Sequence, residues 1–154
     1  MATSNDDDRY KIEIDYVVPN REDCIESLYK MFDGDDNTYA YFSKYSSNYP
    51  TITLTLKKSK FKISKFYVDF LSTEGAYLSS FKYLFKVNGE WIEINDDNSQ
   101  IGYKKTSGYS SQIEIQLNES LIINGFIFKP AFGRNEINTY KVRNIYFEGY
   151  EIPE

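Results

Sequence analysis

The sequence predicts an all-β domain built as an antiparallel β-sandwich, and three observations carry that reading. The 154 residues include 15 Tyr, 11 Phe and a single Trp, Ala is nearly absent, and Ile and Thr are frequent. Aromatic and β-branched side chains suit a pleated, half-buried surface better than a helix. Short runs of alternating apolar and polar residues recur with turn residues between them and no long helical patterns, which favours a sandwich over a parallel α/β sheet. Finally, Asn88-Gly89 stands between two alternating runs. Both central positions of a type I′ turn need positive φ, so this dipeptide predicts a two-residue hairpin.

The elements follow in order. Residues 1–9, with the run Asp6-Asp7-Asp8, read as a solvated polar tail, and residues 10–154 as a single domain. Tyr10 to Tyr16 alternates, with Tyr10, Ile12, Ile14 and Tyr16 on one face, as in a strand with one side on a core. Glu22 to Met31 carries Cys24, Ile25, Leu28 and Met31 at helical spacing, which predicts a helix of at most two turns before Asp33-Gly34. Thr51–Leu56 alternates again, introduced by Pro50 and closed by Lys57-Lys58, whose charge suits a strand end or edge. Phe61 to Phe70 is a longer strand with Ile63, Phe66, Val68 and Phe70 inward, and the hairpin joins Phe81–Val87 to Glu90–Ile94. Asn95–Gln100 and Gly102–Ser111 read as connections. Strands over Gln112–Leu117, Ile122–Phe128 and Val142–Tyr150 close the chain, the last two bracketing a loop at Ala131–Thr139.

Composition removes several function classes. No His is present, which excludes Ser-His-Asp and Cys-His nucleophile arrangements and His-liganded zinc, and Cys24 has no intramolecular partner. A net charge of −5 with only Arg9, Arg21, Arg134 and Arg143 as arginines lacks the basic footprint that a nucleic-acid groove requires. No apolar run is long enough for a membrane-spanning helix. The first residues have neither a cationic region nor an apolar stretch, so no secretory signal peptide is expected; the reading is of a chain made in the cytoplasm or of a domain from something larger. Asp35-Asp36, Asp96-Asp97 and the pair Glu90 and Glu93 are available carboxylates, but nothing sets two of them across a pocket as glycoside hydrolysis needs. With no nucleophile–base constellation, the chain is expected not to be an enzyme.

Three pieces of sequence, in order, resemble the discoidin or coagulation factor 5/8 type C family, which includes the galactose-binding-like family 32 carbohydrate-binding modules. Lys30-Met-Phe-Asp33-Gly34-Asp35-Asp-Asn-Thr38 is similar to that family's Asp-Gly-Asn/Asp-x-x-Thr loop. Ile63–Phe70 followed by Phe81–Val87, Asn88-Gly89 and Trp91 is similar to its strand, strand, Asp-Gly turn and Trp. Gly125–Pro130 with Val142–Gly149 is similar to its closing strand pair. The match spans about residues 28 to 150 and implies that the sandwich is a galactose-binding-like jelly roll. Two positions depart from the pattern. Tyr39-Ala40-Tyr41-Phe42 stands where members usually carry Trp, and Asn144 occupies the place of a calcium-binding Glu.

The resemblance implies a structural calcium site formed by backbone oxygens of Lys30, Asp35 and Arg143, the Asp33 carboxylate, the Thr38 hydroxyl and Asn144. A hard cation taking 6–8 oxygens accepts such a set, and the loss of one carboxylate implies weak affinity. The segment is not an EF-hand, whose sixth and twelfth positions would be Gly and Glu rather than Thr38 and Lys44. Without an ion, the loop reads as an acidic turn in which Asp33 caps backbone amides. The family's glycan sites use loops at one end of the sandwich, where an aromatic platform and polar groups meet a sugar. The corresponding candidates are Tyr45 and Tyr49, Tyr77 beside Glu74, Tyr103, Tyr109, and the cluster Phe132, Arg134, Asn135 and Asn138. Aromatics this abundant also fall in loops merely to cover the sandwich ends.

The function this implies is non-enzymatic attachment to a glycan or glycoprotein, at a cell surface or virion. The alternative is a structural interaction protein of a larger assembly, such as a bacteriophage capsid-decoration, head-fibre or tail component. A lipid-binding role ranks last, since the net charge opposes anionic membranes.

Overall fold

The structure is a computed structural model, and it describes residues 2–6, 9–15, 37–38, 40–43, 51–70, 81–105, 111–130 and 139–153. Its strands are β1 (Ala2–Asp6), β2 (Tyr10–Asp15), β3 (Ala40–Ser43), β4 (Thr51–Leu56), β5 (Ser59–Phe70), β6 (Phe81–Val87), β7 (Glu90–Glu93), β8 (Ser99–Lys105), β9 (Ser111–Ile123), β10 (Gly125–Pro130) and β11 (Thr139–Pro153). They form two antiparallel sheets, one ordered β1-β2-β4-β10-β6-β7 and the other β3-β11-β5-β9-β8. The predicted β-sandwich is what the chain forms.

Alternation decides which side chains meet between the sheets. Ile12, Ile52, Tyr83, Phe85, Phe126 and Phe128 enter from the six-stranded sheet; Ile63, Phe66, Val68, Ile113, Ile115 and Val142 enter from the other, and all are buried. Phe66 sits at the centre, with its ring centroid 5.3 Å from both Tyr83 and Phe85 in edge-to-face contact. Phe126 and Phe147 extend the cluster, 5.2 Å apart and nearly perpendicular. Offset and edge-to-face ring pairs each add about 0.5–1.5 kcal/mol beyond area burial, so this aromatic layer does much to fix one sheet on the other.

The hairpin forms as its sequence requires, with φ of 51° at Asn88 and 83° at Gly89. In β5, Ile63 and Phe66 both face inward although three residues apart. A register shift between Ile63 and Lys65 against β9, matched by one between Glu148 and Gly149 on β11, supplies the extra residue.

Several expectations change. Ala2–Asp6, read as tail, pairs with β2 from Ala2↔Asp15 to Asp6↔Lys11, because an edge strand can be recruited through its backbone without an apolar face. Ser99–Lys105, read as parts of two connections, is edge strand β8, paired along its length with β9. Ile122–Phe128 is not one strand: β9 ends at Ile123, the chain turns at Asn124, and β10 begins in the opposite sheet. The short helix expected over Glu22 to Met31 lies outside the described residues.

Candidate functional site

The two ends of the sandwich are built differently. At one end the connections are short: Lys57-Lys58 joins β4 to β5, Asn88-Gly89 joins β6 to β7, and Asn124 joins β9 to β10. Backbone bonds tie them together, with Leu56 N–H donating to Asn124 O at 2.9 Å, Asn124 N–H to Lys86 O at 3.1 Å and Lys57 N–H to Arg9 O at 2.9 Å. This end is closed.

At the opposite end the register aligns Asp15 with Thr51, and Pro130 with Phe81, in the six-stranded sheet. In the other sheet it aligns Phe70 with Ser111, Ser111 with Lys105, and Thr139 with Ser43. From these strand ends leave the segments 16–36, 44–50, 71–80, 106–110 and 131–138. They carry Tyr45, Tyr49, Glu74, Tyr77, Tyr109, Phe132, Arg134, Asn135 and Asn138, all of which lie outside the described residues. The described strand ends that flank these segments all stand at one end of the sandwich. Tyr103 departs from expectation: it is in β8 opposite the buried Ile113, on a strand rather than a loop.

A polar network on the outer face of the five-stranded sheet holds the strands that lead there. Tyr67 Oη donates to Glu148 Oε1 at 2.9 Å, joining β5 to β11, and Gln112 Nε2 donates to Asp69 Oδ1 at 2.6 Å, joining β9 to β5. Lys65 pairs with Glu114, and its ammonium stands 5.2 Å from the Tyr67 ring centroid. The hydrogen bond to Glu114, with that to Tyr67 next, holds the Lys65 ammonium well above the usual lysine value. These contacts brace β11, β5 and β9 beneath the open end.

Of the calcium set, Lys30, Asp33 and Asp35 lie outside the described residues, while Thr38, Arg143 and Asn144 are placed. Thr38 precedes β3 by two residues, and Ala40 at the start of β3 pairs with Val142 of β11. Asn144 is fully buried, and its Nδ2 donates to Tyr146 Oη at 2.9 Å. Arg143 is the extra residue of a bulge between Val142 and Asn144. Asn144 thus puts a buried neutral amide next to a strand bulge, where the family pattern has a carboxylate. Among the described residues no three His, Cys, Asp or Glu side chains gather into a metal-binding group.

The available carboxylates Glu90, Glu93, Asp96 and Asp97 are exposed. Asp97 and Glu119 border a shallow groove floored by Ile92, Ile94 and Leu121. Its amides hold the local turn: Asn98 Nδ2 donates to Glu93 O at 2.9 Å and Asn118 Nδ2 to Asp97 O at 3.1 Å.

Comparison with solved structures decides the architecture. An F5/8 type C domain from Bacteroides fragilis superposes with a TM-score of 0.60 at 13% identity, covering 99% of this chain and 97% of that one. The fold is that of the F5/8 type C domains. The same F5/8 type C fold is shared by CBM32-1 of a family 31 glycoside hydrolase from Clostridium perfringens, with a TM-score of 0.55, 12% identity and coverage of 88% and 92%. CpGH89CBM32-5 from Clostridium perfringens, in complex with GalNAc-β-1,3-galactose, gives 0.53 at 18% identity, with coverage of 88% and 94%. No protein-family model and no curated protein matches the sequence. At these identities the F5/8 type C likeness establishes the fold, which the order of the three sequence motifs had suggested.

Proposed function

We propose that this chain is a carbohydrate-binding module that attaches to a glycan or glycoprotein through the open end of its sandwich, without catalysis of its own. The observation that carries the reading is the asymmetry of the ends. Tight turns close one end, while the strand ends at the other root every segment bearing Tyr45, Tyr49, Glu74, Tyr77, Phe132, Arg134 and Asn135. A rigid sheet scaffold presenting variable loops is the usual arrangement for recognition. The shared fold with carbohydrate-binding modules supports it, and the disaccharide GalNAc-β-1,3-galactose held by one of them makes galactose-type glycans the first ligands to try.

In this reading Phe132 supplies an aromatic face for the C–H side of a sugar ring, and Arg134 and Asn135 supply donors to hydroxyls. A calcium ion held by Lys30, Asp33, Asp35, Thr38, Arg143 and Asn144 would play a structural part, fixing the chain that enters β3 against the start of β11.

The test is a glycan array in calcium and in chelator, alongside light scattering on the same sample. A monomer with a reproducible glycan hit that Phe132→Ala or Arg134→Ala abolishes supports the module. A chain that binds no glycan and assembles into a defined oligomer favours a structural component of a larger assembly.

A further inference from the structure

The segment Lys57-Lys58-Ser59-Lys60-Phe61-Lys62 places four lysines in six residues of a chain whose net charge is −5. Lys57 and Lys58 are exposed in the turn at the closed end of the sandwich. Lys60 and Lys62 follow in β5, two residues apart and therefore on one face, roughly 6.5–7 Å from each other along the strand. That face looks outward, because Phe61 and Ile63 between and beyond them pack toward the core.

Two features separate this strip from ordinary surface lysines. First, β5 is the middle strand of its sheet, with β11 on one side and β9 on the other, so Lys60 and Lys62 guard no edge against further pairing. Second, their cross-strand neighbours carry no charge: Lys60 lies opposite Ile152, and Lys62 lies between Tyr150 and Ile122. Elsewhere lysines meet carboxylates, as in Lys65 with Glu114, Lys11 with Glu13 at 3.6 Å and Lys82 with Glu93 at 3.9 Å. Among the described residues Lys58, Lys60 and Lys62 enter no ion pair. Glu151 is directed to the other side, where it lines a depression with Arg9 and Tyr10. Flanking Lys62, Tyr150 is 58% exposed and Ile122 is 45% exposed, and the Lys62 ammonium stands 6.0 Å from the Tyr150 ring centroid.

We propose that Lys57, Lys58, Lys60 and Lys62, with Tyr150 beside them, form a second binding site that takes a linear anionic polysaccharide bearing sulfate or uronate groups. A row of cations along one strand complements a flexible polyanion, whose charges repeat along a line. The Tyr150 ring offers a surface for the C–H face of a sugar unit in the same chain. The strip is narrow, and the acidic remainder of the protein opposes a broad anionic surface such as a membrane. The site lies at the end opposite the loops and does not rest on the loop-end reading.

The experiment uses the full chain, with heparin as the sulfated probe, polygalacturonate as the uronate probe and a single-stranded oligonucleotide as a third polyanion. Expected is binding to one or both polysaccharides at about 0.15 M salt that weakens as salt rises. Lys60→Gln with Lys62→Gln lowers the slope of log K against log salt by about two, one per lysine lost. Tyr150→Ala weakens binding about two- to tenfold and leaves the slope unchanged. Lys11→Gln with Lys82→Gln, which removes the same charge elsewhere, has no effect, and Arg134→Ala retains polysaccharide binding whatever becomes of the loop-end glycan. Absence of binding to both polysaccharides, equal loss in the control pair, or equally tight binding of the oligonucleotide overturns the proposal.

Discussion

The indole of Trp91 lies over Gly125: a methyl carbon built on that glycine would stand 2.9 Å from Cη2 of the ring and 3.0 Å from Cβ of Lys86. Trp91 belongs to edge strand β7, and its ring reaches across Lys86 of β6 to β10, covering three strands on the outer face of the six-stranded sheet. Glycine at 125 is what lets the ring lie flat.

Gly125→Ala is therefore expected to push the indole off the sheet and to destabilise the domain by about 1–3 kcal/mol, the range for overpacking. Combining it with Trp91→Ala should cost less than the sum of the two single changes, because the clash disappears with the ring. Urea denaturation of the three variants measures this, and strict additivity would contradict it.

Tyr83 is fully buried, and its hydroxyl has no hydrogen-bond partner among the described residues. Burial pushes its phenol far above the ordinary value of 10.0. Above about pH 10 the unfolded chain can release this proton and the folded chain cannot, so the folded state binds more protons and stability falls as pH rises. Tyr83→Phe removes both the unsatisfied hydroxyl and this alkaline loss. It should be neutral or stabilising by about 1 kcal/mol at neutral pH and should flatten the decline above pH 10. Thermal melts between pH 7 and about 11 test both parts.

Asn144 marks the place where the family pattern has a carboxylate. Asn144→Asp should make stability depend on calcium. In chelator the variant melts below the parent, since a buried carboxylate without a counter-charge is costly, and in calcium it recovers or exceeds the parent. A variant that melts identically in calcium and chelator would count against a cation at this position.

How far the sequence reached depended on whether a segment's own side chains specify its pairing. Asn88-Gly89 sets its turn through local φ requirements, and Thr51–Leu56 sets its face through alternation, so both were legible. β3 and β8 were not. β8 is an edge strand whose partner β9 supplies the register, and Gly102 interrupts its alternation. The corner at Asn124 was hidden because Ile122, Ile123, Phe126 and Phe128 read as one continuous apolar run. The chain at this corner passes between sheets, which a one-dimensional pattern does not record. Likewise, the sequence named the loop aromatics but not the brace of Tyr67, Glu148, Lys65 and Glu114, whose members are brought together only by pairing between distant strands. Of the basic run at 57–62 only Lys57-Lys58 was legible, as the end or edge of a strand; that Lys60 and Lys62 share the outer face of a central strand follows from the sheet order.

The central claim is that the open end recognises a glycan. Its most direct test is a galactose-terminated glycan panel, including GalNAc-β-1,3-galactose, titrated against the full chain and against Arg134→Ala, with folding of the variant checked by thermal melt. The account predicts that the parent binds at least one glycan of the panel, and that the variant keeps its melting temperature while losing tenfold or more in affinity, on the order of 1.4 kcal/mol. Absence of binding to the panel, or binding that Arg134→Ala and Phe132→Ala both leave intact, would contradict it.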